Sequence, residues 1–318
     1  MDIVLLRQAQ SETLQIRTYH ERLFADRVAE MRSIDEYREI DDQYLDICFA
    51  ISKGEAYGED TSALEIERER VAKDRDAILV KLGYPLDYLL KSHTCPICLD
   101  VGYIDGELCD CVKKRVAIIA KRNCKVPNLD KYTFESFDES IFEGTKQYKA
   151  MTALYRAMQT YVDKYPHVRY RNIVLMSPTG VGKTSLVSCM VNALIDKGVD
   201  VYYITAFEMN DLMVKYHTTM TDAREIYMQK LLSCDVLVID DLGVEPILNN
   251  VTVENLLTVL NERKNSGLHT IISTNLDAEG IMLKYGERVW SRLFDREDTL
   301  ARVIEGDDLR IINNGKTR

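Results

Sequence analysis

An eight-residue run, Ser177-Pro-Thr-Gly-Val-Gly-Lys183-Thr184, constrains this chain more than any other stretch. It follows Asn172-Ile-Val-Leu-Met176, an apolar run short enough for a buried strand, and precedes Thr184–Ile195, whose apolar residues recur at helical spacing. Strand, glycine-containing turn and helix in that order place backbone N–H groups and the positive end of a helix dipole on one anion. Gly180 and Gly182 let those N–H groups turn inward; Lys183 has the reach for β/γ-phosphates, and the Thr184 hydroxyl suits Mg²⁺. The expected cradle is Ser177, Pro178, Thr179, Gly180, Val181, Gly182, Lys183, Thr184 and Ser185. Ser177 stands where the pattern carries its leading glycine.

A second motif fits the first. Val236-Leu-Val-Ile239 reads as a buried strand ending in Asp240 and Asp241, and the carboxyl ends of parallel strands are where such sheets present ligand-binding groups. Asp240 is placed to hold Mg²⁺ beside Thr184, and Asp241 to orient and deprotonate an attacking water. From about residue 147 helix and strand patterns alternate, with strands expected near 172–176, 200–204, 235–240, 269–273 and 300–304.

Net charge and cysteines divide the rest. The chain of 318 residues carries −10 overall. Residues 1–90 hold 12 Lys/Arg against 20 Asp/Glu, and residues 91–125 hold 7 against 4. An acidic first quarter is a poor nucleic-acid clamp and a better protein-docking element. Its apolar residues, among them Leu23, Val28, Met31, Tyr37, Tyr44 and Ile47, recur near helical spacing. A break at Gly54–Gly58, a cap at Asp60 or Thr61 and a stop at Gly83–Pro85 predict two or three helices. No apolar run reaches the ~20 residues that span a bilayer, and the N-terminus lacks secretory order, so a cytoplasmic location is expected.

Cys95-Pro-Ile-Cys98 and Cys109-Asp-Cys111 supply four thiolates, a set that suits one tetrahedral structural Zn²⁺ with no open position. His93 and Cys124 stand as substitute ligands, and Cys48, Cys189 and Cys234 read as buried thiols. The expected organisation is a helical region (1–90), a zinc segment (91–125), a connector (126–146) and a nucleotide-binding α/β domain (147–318).

With these residues in view, the chain resembles the AAA+ ATPases. More narrowly it is similar to replicative helicase loaders of the DnaC/DnaI type, with the IstB transposition helpers as relatives. Ser273-Thr-Asn275 resembles the strand end carrying the polar sensor-1 residue, Asn275. The stretch Gly286–Leu293 resembles the arginine-finger segment, with Arg292 as finger and Arg288 or Arg296 as fallback. Gly306–Arg310 resembles the motif bearing a sensor-2 arginine, Arg310. Tyr132–Phe137 and the cysteine segment also match the loader pattern.

The resemblance implies an AAA+ P-loop fold with a parallel sheet and a truncated lid, since only 43 residues follow Asn275. It implies ATP, Mg²⁺ and Zn²⁺ as cofactors. The implied partners are a hexameric replicative helicase, single-stranded DNA and further copies of the chain. Asp241 stands where many such ATPases carry Glu, which implies slow hydrolysis. Residues 206–232 correspond to an extra helical element facing single-stranded DNA, with Lys215, Tyr216 and Arg224, beside His217 and Lys230, able to meet phosphates or stack on bases. Two further expectations stay open: a transposition helper that binds duplex DNA and a transposase, and a zinc-containing adaptor that binds nucleotide without hydrolysing it.

Overall fold

The structure, a computed structural model, describes residues 3–126, 129–221, 224–306 and 308–309. Arg310 lies outside the described residues. The chain divides into two compact units, one of Arg7–Val112 and one of Met1–Leu6 with Lys113–Arg318.

The smaller unit is helical. Three helices, α1 (Ile3–Arg32, which begins in the larger unit), α2 (Asp35–Tyr57) and α3 (Ser62–Lys81), answer the expectation of two or three. Gly58 ends α2 in the left-handed conformation (φ +71°), as a residue without Cβ does cheaply. Of the two expected caps, Thr61 makes no side-chain bond to the first turn of α3, whereas Asp60 accepts from the Ser62 backbone N–H at 3.0 Å. The apolar core here is small: Met31, Tyr37 and Leu79 are buried, with Ile34, Tyr84 and Tyr88 packed around them. Polar clamps supplement it. Asp41 accepts from Arg32 at 2.5 Å and from Arg75 at 3.1 Å, and the Tyr84 hydroxyl donates to Glu30 at 2.8 Å. Phe49, Tyr57 and Ile66 stay exposed, each above 70%.

A hairpin of β1 (Tyr103–Ile104) and β2 (Glu107–Leu108) follows. Its two-residue turn, Asp105-Gly106, has φ +51° and +86°, the signs a type I′ turn requires. Helix α4 (Asp110–Asn123) then carries the chain onward.

In the larger unit, α5 (Tyr148–Lys164) precedes a sheet of five parallel strands in the order β4-β5-β6-β3-β7. These are β3 (Asn172–Met176), β4 (Val201–Thr205), β5 (Val236–Leu242), β6 (His269–Thr274) and β7 (Thr299–Val303), each within two residues of its expected bounds. β3 and the first four residues of β5 are mostly apolar because both faces are covered, whereas β6 (His-Thr-Ile-Ile-Ser-Thr) is equally buried but half polar. Ile173 and Leu175 pack with α5 and α6 (Lys183–Asp196) on one face. Val174 and Met176 pack on the other with α7 (Ala206–Thr218), α8 (Glu225–Ser233), α9 (Thr252–Asn265) and α10 (Ala278–Leu293). Because α6 leaves β3 on one face and α10 leaves β6 on the other, the crevice opens where these neighbouring strands end.

The connector is tightly held. Asn192 Nδ2 donates to the carbonyls of Leu129 (3.0 Å) and Tyr132 (2.9 Å). Tyr155, Phe137 and Phe142 form an aromatic row with ring centroids 4.9 and 5.7 Å apart. Cys189 and Cys234 are buried as expected, whereas Cys48 is only half-buried.

At the opposite end of the sheet, His269 is 5% exposed and its Nδ1 shares a 2.7 Å hydrogen bond with the Tyr161 hydroxyl. Burial, reinforced by Arg171 and Arg263, pushes its pKa down to about 4, against weaker opposition from Asp298 and Asp235. The unfolded chain therefore binds this proton first, so His269 contributes its full stability above pH 6.5 and loses it as pH falls toward 4. The stability difference between wild type and His269→Gln, from urea denaturation, should shift against wild type by about 2–3 kcal/mol across that window. A difference constant with pH would exclude His269 as an acid-sensitive group.

Candidate nucleotide site and cysteine cluster

The phosphate loop closes between β3 and α6. Gly180 (φ +81°) and Gly182 (φ +103°) take conformations that side chains disfavour. Ser177 does not have positive φ, so the missing leading glycine costs the turn nothing. The space around both turn positions is also tight. A Cβ at Gly180 would lie 2.0 Å from Asp308 Oδ1, and one at Gly182 would lie 3.2 Å from Phe142 Cζ. The connector's aromatic row thus backs the loop directly, a role its aperiodic sequence did not signal.

Lys183 is 5% exposed, and its ammonium converges on four acceptors. These are the Ser177 carbonyl (2.5 Å) and hydroxyl (2.8 Å), the Pro178 carbonyl (2.9 Å) and Asn275 Oδ1 (2.9 Å). The structure therefore brings Lys183 and Asn275, 92 positions apart in sequence, into one contact. Thr184 is exposed at the start of α6, and Ser185 is half-buried beside it.

Asp240 is buried at the end of β5, its two oxygens receiving hydrogen bonds from Tyr203 (2.5 Å) and Ser273. Burial and the bond to Asp240 push the Tyr203 phenol far above its ordinary range, so it remains a donor. Asp241 has φ +56°, in the left-handed region that Asp tolerates better than most residues. The β5–β6 register slips here, pairing Ile239 with Ile272 and Leu242 with Thr274, so one residue is extra on β5. Such a bulge re-aims side chains, and the Asp241 N–H is held by Ser273 Oγ at 2.9 Å. Sequence spacing located the acidic pair; Tyr203, on a neighbouring strand, carried no signal that could have joined it to Asp240.

Arg292 is not beside this crevice. It is exposed on α10, bonds Asn261 Oδ1 at 2.5 Å, and lines a small cavity with Asn172 and Thr270, at the starts of β3 and β6. Five residues of strand, on the order of 15 Å, separate those starts from the phosphate loop. Arg288 sits nearby, 3.9 Å from Glu254.

On the α7–α8 pair, Lys215 is exposed and bridges Asp211 at 2.7 Å. The Arg224 guanidinium lies 5.3 Å from the centre of the Tyr216 ring. Lys230 is turned away, both Asp200 oxygens accepting from it at 2.8 Å.

In the smaller unit, the Sγ atoms of Cys95, Cys98, Cys109 and Cys111 all lie within 4.8 Å of one another. Zn–S bonds of about 2.3 Å in a tetrahedron put sulfurs about 3.8 Å apart. The Cys95–Cys109 and Cys98–Cys111 separations are 3.8 and 3.5 Å, so the donor set fits that ion. Backbone N–H groups of Cys98 and Ile97 lower the Cys95 thiol to about 7, while burial raises Cys111. His93 faces Asp100 at 4.0 Å, and Cys124 packs against the core of the larger unit. Among the described residues, the four named cysteines form the cluster without a substitute.

A glycine-bearing phosphate loop, a carboxylate pair and a polar strand-end residue on a five-stranded parallel sheet define an AAA+ nucleoside-triphosphate-binding protein. Residues 104–305 match the model of the IstB-like ATP binding proteins, and the chain belongs to that family. It is 28% identical over 212 residues to the uncharacterized protein YqaM of Bacillus subtilis, a match covering 64% of each chain. Over 163 residues it is 30% identical to the chromosomal replication initiator protein DnaA of Campylobacter jejuni, covering 51% of this chain and 34% of that one. The chain thus spans less than two thirds of either relative. A crystal structure of the DnaC helicase loader superposes with a TM-score of 0.46 at 20% identity, covering 55% of this chain and 98% of that one. Among the described residues, no helix is long and apolar enough to cross a membrane.

Proposed function

We propose that this chain is an ATP-dependent loader of a hexameric replicative DNA helicase onto single-stranded DNA, with ATP binding and slow hydrolysis acting as its switch. The observation that carries the reading is the split of the catalytic set. Lys183, Asp240 and Asn275 gather in one crevice, whereas Arg292 stands exposed at the far end of the sheet. An arginine so placed does not reach its own phosphates and suits those of a neighbouring copy, where a guanidinium stabilises charge on the transferred phosphoryl group. Nucleotide would then govern assembly.

In this reading Lys183 and the cradle Ser177–Ser185 hold the phosphates, Thr184 and Asp240 hold Mg²⁺, Asn275 orients the γ-phosphate, and Asp241 serves the attacking water. Bound Mg²⁺ would neutralise phosphate charge. Arg310 remains the proposed sensor-2 residue. The four cysteines hold one structural zinc ion. The acidic helices of residues 1–90, with their exposed Phe49 and Tyr57, dock the helicase. The stacked Tyr216–Arg224 pair with Lys215 meets single-stranded DNA. Similarity to a protein named as a chromosomal replication initiator supports the replication setting.

The test is a loading assay with a hexameric replicative helicase and single-stranded circular DNA. Chain plus ATP should raise the helicase bound to circles several-fold, and Arg292→Ala should abolish the gain. Mixing Arg292→Ala with Lys183→Ala copies should restore part of the ATP turnover, since one copy supplies the arginine and the other the site. Tight duplex-DNA binding with no helicase contact would replace this reading with the transposition helper, which the IstB-like family match favours.

A further inference from the structure

The loop after the acidic pair, Gly243-Val244-Glu245, is held by groups that the nucleotide chemistry itself does not use. Glu245 is 2% exposed, a burial that carboxylates tolerate only when their oxygens are satisfied. Its Oε2 accepts from the Gly243 N–H at 2.9 Å, and its Oε1 accepts from the buried hydroxyl of Tyr285 on α10. The neighbouring Lys284 donates to the carbonyls of Gly243 (2.5 Å) and Glu245 (2.9 Å). Gly243 itself has φ +114°, and a Cβ there would lie 2.8 Å from Leu276 Cδ1, so the loop has one tight seat. Burial and the bond to Glu245 push the Tyr285 phenol far above its usual range, keeping it a donor.

What lies on either side gives this contact its meaning. Two residues before Gly243 is Asp241, in its left-handed bulge conformation. One residue after Tyr285, α10 breaks at Gly286 (φ +81°, ψ +169°), and the segment beyond the break carries Arg292. The residue after the loop is also gripped. Asn210 on α7 donates to the Pro246 carbonyl at 3.2 Å and accepts from the Thr252 hydroxyl at 2.7 Å, both side chains being buried. A displacement of the acidic pair on nucleotide binding would therefore pull on α10 through two adjacent residues, and the Gly286 break would turn that pull into a reorientation of the arginine-bearing segment.

We propose that Glu245, with Tyr285 and Lys284, forms a latch that couples the acidic pair to α10, making Glu245 a positioning residue for nucleotide turnover. The kinetic part of this proposal rests on the ATP-hydrolysing reading above; the coupling itself does not. Tyr285→Phe removes the one hydroxyl that α10 gives Glu245, and Lys284→Met removes the two carbonyl contacts while leaving the carboxylate satisfied.

The coupling is read by amide hydrogen exchange of the full chain with and without ATPγS·Mg²⁺. In wild type, nucleotide should slow exchange in residues 179–186, in 240–245 and in 287–293. In Tyr285→Phe and Lys284→Met the first region should still be protected, whereas the protection of 287–293 should be lost. In steady-state assays ATP affinity should stay within about threefold of wild type while kcat falls about tenfold to a hundredfold, the range for a lost hydrogen bond to a charged group. Protection of 287–293 persisting in both variants would overturn the latch, as would affinity and kcat falling together in folded protein. A wild type without turnover would remove the hydrolysis reading and leave the latch to be decided by exchange alone.

Discussion

Lys183→Ala should lose nucleotide binding, with ATP·Mg²⁺ affinity falling at least about a hundredfold, as the loss of charge-assisted contacts to two phosphates predicts. The geometry sharpens the expectation. The ammonium already faces the mouth of the loop, held by two backbone carbonyls, a hydroxyl and Asn275. Those four acceptors gather cationic charge where anionic oxygens must arrive, so alanine removes the attraction and leaves the acceptors to repel phosphate. Binding of a fluorescent ATP analogue, beside a thermal melt to show that the variant folds, measures this. Unchanged affinity in folded protein would end the phosphate-loop assignment. The same variant takes a donor from the two buried acceptors on Ser177, so a stability cost of about 1–3 kcal/mol should accompany the effect.

Metal removal should have the second large effect. Purified protein should carry about one zinc per chain, as a closed four-thiolate site requires. Chelation under reducing conditions should unravel the region around residues 93–112, and apparent binding energies of about 10–16 kcal/mol for such sites indicate how much order depends on the ion. The local packing argues the same. Ile97, Leu99, Val101, Tyr103 and Ile104 are all at least 40% exposed, and the buried cluster of the segment consists of the cysteines themselves. With those five apolar side chains turned to solvent, four thiolates gathered within 4.8 Å would repel without a cation. Elemental analysis gives the stoichiometry, and limited proteolysis before and after chelation gives the order. A metal-free protein equally resistant to protease would refute the assignment. ATP affinity should survive chelation, because the phosphate loop lies in the other compact unit.

Both predictions concern features that short-range sequence could disclose. Backbone conformation at Gly180 and Gly182 is set within a few residues, and so is the pairing of Cys95 with Cys98. The five strands were legible for a related reason. A strand buried on both faces tends toward a continuous apolar run, and Asn172–Met176 and Val236–Ile239 read that way without any neighbour being known. Register and partnership were not legible. Which strand stands beside β3, whether Tyr203 reaches Asp240, and whether Asn275 meets Lys183 depend on pairings between segments 37 to 92 residues apart. Nothing local encodes such distances. The connector shows the same limit: Phe137 and Phe142 had no periodicity to betray them, yet they stack on each other and Phe142 stands behind Gly182.

The sequence by itself determined the chemistry available to this protein: a phosphate cradle, a carboxylate pair, four clustered thiols and an acidic helical segment. Those depend on residue type and short spacing, where sterics and charge act between chain neighbours. Only the tertiary structure decided how the parts are joined. It put Lys183 against Asn275, held Asp240 between Tyr203 and Ser273, sent Arg292 to the far end of the sheet, and joined the loop after the acidic pair to α10 through a buried Glu245. Each of these contacts is made by a side chain satisfying a partner that the chain reaches only after the sheet has formed, because burial leaves a polar group no alternative to the partner the fold supplies.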